Sequence, residues 1–258
     1  MEKVSYHTHT TISDGKLSPR ELIECAIEKG FKTLAITDHY TRPSGISSSG
    51  WGEEFYTDED YLEMKSLQKE YADRIDILVG AEFEWYFDKK DWLFGEINRR
   101  VYDIKIVSIH QIFVKGKYYT INYSDDIFEE VLDVLEGDVK KMVAIYYETL
   151  REAVRSGWFD VVGHFDVIKA RNESSKYFSE DEGWYKEEVL KTLDVIEEVG
   201  IKMEVNLQGF DKPCGEQWPS KWIIDEAKNR GIELVVGTDA HDEDGLDYNV
   251  DEVEKILN

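Results

Sequence analysis

Cysteine is nearly absent from this chain: it has two in 258 residues, Cys25 and Cys214, far apart and in no Cys-x-x-Cys pair. That excludes a disulfide framework and a thiolate zinc ribbon, and a cytoplasmic location is expected. Proline is also sparse, with four residues, and no linker, internal repeat or low-complexity tract divides the chain. One barrel domain over residues 1–258 is therefore expected. No apolar run approaches the roughly 18 residues of a membrane span, and residues 1–7 lack the apolar segment of a signal peptide. The largest deficit is positive charge. Lys and Arg number 31 against 55 Asp and Glu, a formal net charge of −24. Such a field favours solubility and repels nucleic acid and anionic membranes at long range, although it does not forbid a local basic pocket. Neither nucleic acid nor a membrane is expected as a partner, and the oligomeric state is left open.

What is present is the composition of a folded protein, 41% hydrophobic and 13% aromatic. Seven short apolar runs read as strands, at 3–7, 32–37, 75–81, 104–109, 159–163, 201–205 and 232–237. Ile, Val and Leu fill them almost continuously, as in parallel strands buried on both faces. Helical patterns at 18–29, 59–72, 138–156, 185–199 and 220–229 separate most of them, and a short helix is expected over 250–257. In the first, Ser18 suits the N-cap, Pro19 the first helical position and Glu21 a capping box, with Gly30 closing the helix. Acidic runs at 125–130 and 179–182 read as solvated helix starts, where negative charge suits the helix dipole. The Gly/Ser-rich stretch 41–57 reads as a loop, with 44–52 a candidate lid. The aromatic-rich stretches 89–100 and 111–123 break the strand–helix rhythm.

All six histidines, His7, His9, His39, His110, His164 and His241, fall at or just past the C-terminal end of an expected strand. In a parallel barrel those ends share one face, where active sites are built. His7 and His9, like Asp239 and His241, stand two apart and point to the same side. Asp38, Glu82, Glu84 and Asn206 also sit at strand ends, and Asp14 lies in the first strand–helix loop. Imidazoles mixed with carboxylates are the ligand set of Zn, Fe or Mn sites. The inventory exceeds what one ion needs and suits two or three divalent ions. Cationic partners for an anionic substrate are sought in Arg42, Lys169, Arg171 and Lys212, and pocket walls in Trp51, Trp85, Trp92 and Trp218.

These residues carry a resemblance. His7-Thr-His9 with Ser13-Asp-Gly15, Ala35-Ile-Thr-Asp-His39, Gly80-Ala-Glu82, Ser108-Ile-His110, Gly163-His164 and Thr238-Asp-Ala-His241 resemble the ordered motifs of the PHP (polymerase and histidinol phosphatase) superfamily. The resemblance implies a distorted, TIM-barrel-like (β/α)7 barrel of PHP type with a trinuclear metal site that hydrolyses phosphoesters. It further implies that His7, His9 and Asp239 bind a first metal, that Glu82 bridges it to a second held by His110 and His164, and that His39, His241 and Asp14 hold a third. The nucleophile it implies is a metal-bridging hydroxide held by Glu82, Asp239, His7 and His9. Gly163-His-Phe-Asp-Val-Ile-Lys169, Glu204-Val-Asn206, Lys212-Pro213 and Trp218-Pro-Ser220 are similar to segments of histidinol phosphatases, whereas Leu207-Gln208 and Phe210-Asp211 depart from them. The implied reaction is hydrolysis of a small phosphate ester, L-histidinol phosphate in histidine biosynthesis, with Arg171, Lys169, Arg42 and Asn206 as substrate contacts. Another small phosphate ester or a nucleotide is the alternative, and a non-catalytic metal-binding domain a third reading.

Overall fold

The computed structural model describes residues 2–44, 46 and 56–257. Its strands are β1 (Lys3–Ser5), β2 (Phe31–Ile36), β3 (Asp76–Glu84), β4 (Ile104–Ser108), β5 (Gln111–Val114), β6 (Lys117–Thr120), β7 (Val161–Val162), β8 (Lys202–Asn206) and β9 (Leu234–Gly237). Seven of them pair in parallel in the order β1-β2-β3-β4-β7-β8-β9, while β5 and β6 form a separate antiparallel hairpin. The two edges of the row meet beyond the strand ends. Tyr6 N donates to Val236 O (2.8 Å), Asp239 N to His7 O (2.9 Å) and His9 N to Ala240 O (2.9 Å). The result is a nearly closed (β/α)7 barrel.

Around it lie α1 (Pro19–Glu28), α2 (Asp58–Glu70), α3 (Lys90–Ile97), α4 (Asp125–Val134), α5 (Val139–Arg155), α6 (Gly183–Val199), α7 (Lys221–Asn229), α8 (Glu243–Asp247) and α9 (Val253–Leu257). Local chemistry sets their starts. Ser18 and Glu21 form the expected capping box, and Thr57 with Asp60 forms a second one on α2. Asp125 and Asp126 open α4, where they complement the dipole. Helix α5 buries Met142, Val143, Tyr146, Tyr147, Leu150, Ala153 and Val154, one continuous face at helical spacing. Inside the barrel, Ala35, Ile104, Ile106, Val161 and Val235 form a small plug; the larger core lies between sheet and helices. Each fully buried aliphatic side chain contributes about 1.5–3 kcal/mol.

Several boundaries differ from the sequence reading. The strand expected at 159–163 is regular only over Val161–Val162, with single backbone bonds from Asp160 N to Lys105 O and from Gly163 N to Val107 O flanking it. Gly163 lies so close to β4 that a Cβ would meet Ile106 Cγ2 at 2.9 Å and press harder still on Ser108 Oγ. The stretch 89–100 contains α3, whose amphipathic stripe is too short to register, and 111–123 contains the β5–β6 hairpin. Residues 250–257 begin as a 3-10 turn (Val250–Glu252) before α9. The candidate lid at 44–52 and Trp51 lie outside the described residues, save Ser44 and Ile46. Among the described residues no helix is long and apolar enough to cross a membrane.

Candidate metal centre

The parallel register brings the strand ends to one level. His39 bridges to Glu82 in parallel fashion, as Thr8 does to Ala240. Asp239, just past β9, adopts a left-handed backbone (φ +51°), a conformation Asp tolerates and one common where strain serves a site. The loop after β1 is held by Asp38, whose carboxylate accepts from Thr10 N (2.7 Å), Thr10 Oγ1 (2.8 Å) and Ser13 Oγ (2.7 Å). Asp38 thus anchors the loop that carries Asp14.

Six imidazoles and three carboxylates converge here. His7 Nε2 and His9 Nε2 face each other at 3.1 Å. His9 Nε2 lies 3.1 Å and His7 Nε2 3.8 Å from Asp239 Oδ1. Glu82 Oε2 is approached by His39 Nδ1 (2.7 Å), His7 Nε2 (3.5 Å) and His9 Nε2 (3.7 Å). Its Oε1 lies 2.9 Å from His164 Nε2 and 3.5 Å from His110 Nε2. Asp14 lies 3.2 Å from His241 Nε2 and 3.7 Å from both His9 Nδ1 and His39 Nε2. Three overlapping groups have ligand atoms close enough for one ion each: His7/His9/Glu82, His39/Glu82/His110 and His9/Asp14/His39/His241. The first two are buried, whereas the third opens to solvent through Asp14.

Two observations fit this donor set to cations. The deeply buried Glu82 Oε2 accepts no well-formed hydrogen bond, and two imidazole nitrogens turned on each other can share at most one proton between them. The outward nitrogens, by contrast, are fixed. His7 Nδ1 is 2.9 Å from Glu204 Oε1, and His110 Nδ1 is 2.9 Å from Glu84 Oε2. Such carboxylates hold the tautomer and the ring so that Nε2 faces the ion. Glu204 Oε2 also accepts from His164 N (2.7 Å) and Asn206 Nδ2 (3.1 Å). Glu204 is the functional residue that sequence reasoning passed over. Its position between β7 and β9, two residues before Asn206 on the same strand face, was the available signal.

Burial would raise the carboxyl pKa values of Glu82 and Asp239, yet the surrounding imidazoles hold both well below the ordinary range; Asp14 is likewise held low. Burial, reinforced by the charge of Glu82, pushes Glu84 up against the lowering effect of backbone donors. Burial lowers His9 and His110. It would lower His7 and His241 too, but Glu204, Asp239 and Glu82 raise His7, and Asp14 and Asp239 raise His241. The neighbouring carboxylates thus favour a proton on His7 and on His241, and a ring nitrogen must lose its proton to bind a cation. Zinc binding near pH 7 is expected to release on the order of one proton or more per chain. Titration calorimetry in buffers of different ionisation enthalpy reads this, and heats independent of the buffer would contradict it.

A cavity of about 440 Å³ opens onto the cluster, lined in part by Asp14, His39, His110, His164, Asp239 and His241, with Tyr123, Leu207, Trp218 and Tyr248 as apolar walls. Among the described residues its one Lys or Arg is Lys212. The other expected substrate contacts lie elsewhere. Arg42 lines a separate pocket with Tyr40, Tyr56 and Trp92. The Lys169 ammonium is buried against Asp166 and Glu216. Arg171 donates to the carbonyl of Tyr123, which itself lines the cavity. Asn206 is fully buried and donates to Glu204 and to Asp239 Oδ2 (3.0 Å). Trp85 packs against Trp158 and donates to Glu152 rather than forming a wall.

Residues 5–208 match the PHP domain family model. The chain belongs to the PHP domain family. A histidinol-phosphatase of Bacillus subtilis is 26% identical over 266 residues, covering 96% of this chain and 97% of that protein. A histidinol phosphatase candidate from Listeria monocytogenes superposes with a TM-score of 0.82 at 21% identity, over 94% of this chain and 97% of that one. The histidinol phosphate phosphatase of Lactococcus lactis, complexed with Zn, L-histidinol and phosphate, superposes at 0.73 with 20% identity, over 99% of this chain and 92% of the other. These superpositions identify the (β/α)7 barrel as the PHP fold, with the cluster at the C-terminal ends of its strands.

Proposed function

We propose that this PHP protein is a zinc-dependent phosphomonoesterase that hydrolyses L-histidinol phosphate to L-histidinol and phosphate, acting in the cytoplasm. The observation that carries the reading is the convergence of six imidazoles and three carboxylates at the floor of a cavity of small-molecule size. The Bacillus relative and the zinc-, histidinol- and phosphate-bound Lactococcus neighbour support the substrate.

In this reading His7, His9 and Asp239 would hold one ion, Glu82, His110 and His164 a second, and His39, His241 and Asp14 a third. Bound divalent ions would supply a nucleophile from water near neutral pH and neutralise charge on the phosphoryl oxygens. Glu204 and Glu84 keep the rings of His7 and His110 aimed, so little reorganisation is needed during the reaction. Lys212 offers the phosphoryl group a protein cation, and Arg171 steadies the Tyr123 wall. Aromatic walls beside Asp211 and Asp242 suit an alcohol bearing an imidazole and an ammonium group.

A panel of phosphate esters ranked by kcat/KM on the zinc-loaded protein tests this. Histidinol phosphate is expected first. A low rank beneath nucleotides or other small esters would overturn the substrate, and inertness towards every ester would overturn the reaction class.

A further inference from the structure

Lys169 is expected from sequence to face the substrate, but its surroundings give it other work. The side chain is 1% exposed, at the end of the 3-10 turn that follows His164. Its Nζ lies 3.1 Å from Asp166 Oδ2, 2.9 Å from Glu216 Oε1 and 3.7 Å from Glu180 Oε1, and it donates to Ser220 Oγ. Burial would lower its pKa, but the three carboxylates outweigh that and keep the ammonium charged. The same groups bind one another: Asp166 Oδ2 accepts from Ser220 N (3.0 Å), and Ser220 Oγ lies 2.6 Å from Glu180 Oε2. One cation thus closes a knot between the turn after β7, the turn before α6 and the segment leading into α7.

That last segment, residues 216–220, carries Trp218. Trp218 is 1% exposed, stands edge-on to His164 (centroids 5.9 Å, 74°) and lines the cavity. Its backbone pairs with Asn206 in both directions, Trp218 N to Asn206 O at 2.9 Å and Asn206 N to Trp218 O at 2.6 Å. The Asn206 amide in turn holds Glu204 and Asp239. Hydrogen bonds of the ammonium to Glu216 and Ser220, the backbone of residues 216–220 and the Trp218–Asn206 pair thus connect Lys169 to Asp239 in the cup and to Glu204, which holds the His7 ring. Without the cation, three carboxylates would face one another and drive the segment apart.

We propose that Lys169 is a positioning residue: it fixes Trp218 and Asn206, and through them Asp239 and Glu204, without touching the substrate. The proposal rests on the metal-dependent phosphoesterase reading, but its metal-affinity readout needs no substrate.

The test is Lys169→Met, which keeps the apolar stem. For the zinc-loaded protein with histidinol phosphate, kcat is expected to fall on the order of 10–100-fold, with zinc affinity by chelator competition weakened on the order of tenfold. KM and the inhibition constant of inorganic phosphate should stay within about threefold, since neither reports a lost contact. A tenfold rise in both constants at unchanged kcat would put the ammonium on the phosphoryl group and overturn the proposal. Unchanged kinetics and zinc affinity with a lower Tm alone would overturn it too. If Lys169→Met does not fold, Glu216→Ala probes the same knot from its half-exposed side. It should lower kcat several-fold at constant KM and weaken zinc binding, and wild-type values for both would refute the path. A wild-type enzyme inert towards histidinol phosphate would instead fault the substrate assignment, leaving the zinc-affinity comparison to decide this one.

Discussion

His9→Ala is expected to abolish phosphate release while leaving the barrel folded. His9 belongs to two of the three candidate ion groups, His7/His9/Glu82 and His9/Asp14/His39/His241. Its Nε2 faces His7 and Asp239, and its Nδ1 faces Asp14 and Ser13. His39 makes a similar link between the buried floor and the solvent-open corner, through Glu82 on one side and Asp14 on the other. Removing His9 strips a donor from both groups and leaves Asp239 and Asp14 short of a partner. The loss in kcat is expected to be on the order of a thousandfold or more, because bound ions would supply the nucleophile from water and His9 would be a ligand in two of the three groups. Stability should suffer much less. The ring packs among other imidazoles rather than in the apolar core, and its backbone bond to Ala240 remains. The check is phosphate release by a variant whose fold is confirmed by circular dichroism and whose metal content is measured. Near-normal turnover would remove the metal centre from the reaction.

Gly237→Ala disrupts the same centre without changing any ligand. Gly237 ends β9 directly beneath the His7–Glu204 pair. An added Cβ would stand 2.7 Å from His7 Cβ and 2.8 Å from Glu204 Cδ, and closer still to Glu204 Oε1. Neither neighbour can give way. Glu204 is held by the His7 ring, His164 N and Asn206, and His7 by Glu204 and by the backbone bond its carbonyl accepts from Asp239 N. Overpacking at such a point costs about 1–3 kcal/mol of stability. Its larger effect is to turn the His7 ring and shift Glu204, so zinc affinity and kcat should both fall on the order of 10–100-fold. Gly95→Ala in α3 is the control. Nothing lies within 4 Å of its would-be Cβ. Replacing a helical glycine there should add roughly 0.5–1 kcal/mol and leave kcat alone. Full zinc binding and wild-type kcat in Gly237→Ala would show that the Glu204–His7 contact does not govern the site.

The convergence of the cup's side chains was legible in the sequence through two simple geometries. Strand ends in a parallel barrel share a face, and residues two apart on a strand share a side. The second rule pairs His7 with His9 and Asp239 with His241 in the sequence, although all four lie just past β1 and β9 and Asp239 has a left-handed backbone; the spread of the remaining histidines follows the first. What the sequence hid depends on contacts between elements. Glu204 and Asn206 lie on one strand face with the ligands, but which atoms they hold is set by how β8 sits between β7 and β9. Lys169 follows a strand end as a substrate contact would, yet the turn at Val167–Lys169 carries its ammonium into the Asp166–Glu216–Ser220 knot. Arg42 lines a different pocket from the one above the cluster; a sequence position past a strand end does not say which way the loop turns. The aromatic stretches failed on length. Helix α3 spans 8 residues and each hairpin strand 4, too few for a period to emerge.

The most direct test of the central claim is a crystal structure of the zinc-loaded protein with anomalous differences collected on both sides of the zinc edge. The account predicts two or three peaks within the cup, among His7, His9, Asp14, His39, Glu82, His110, His164, Asp239 and His241. No peak in the cup, with zinc bound elsewhere on the molecule, would contradict it.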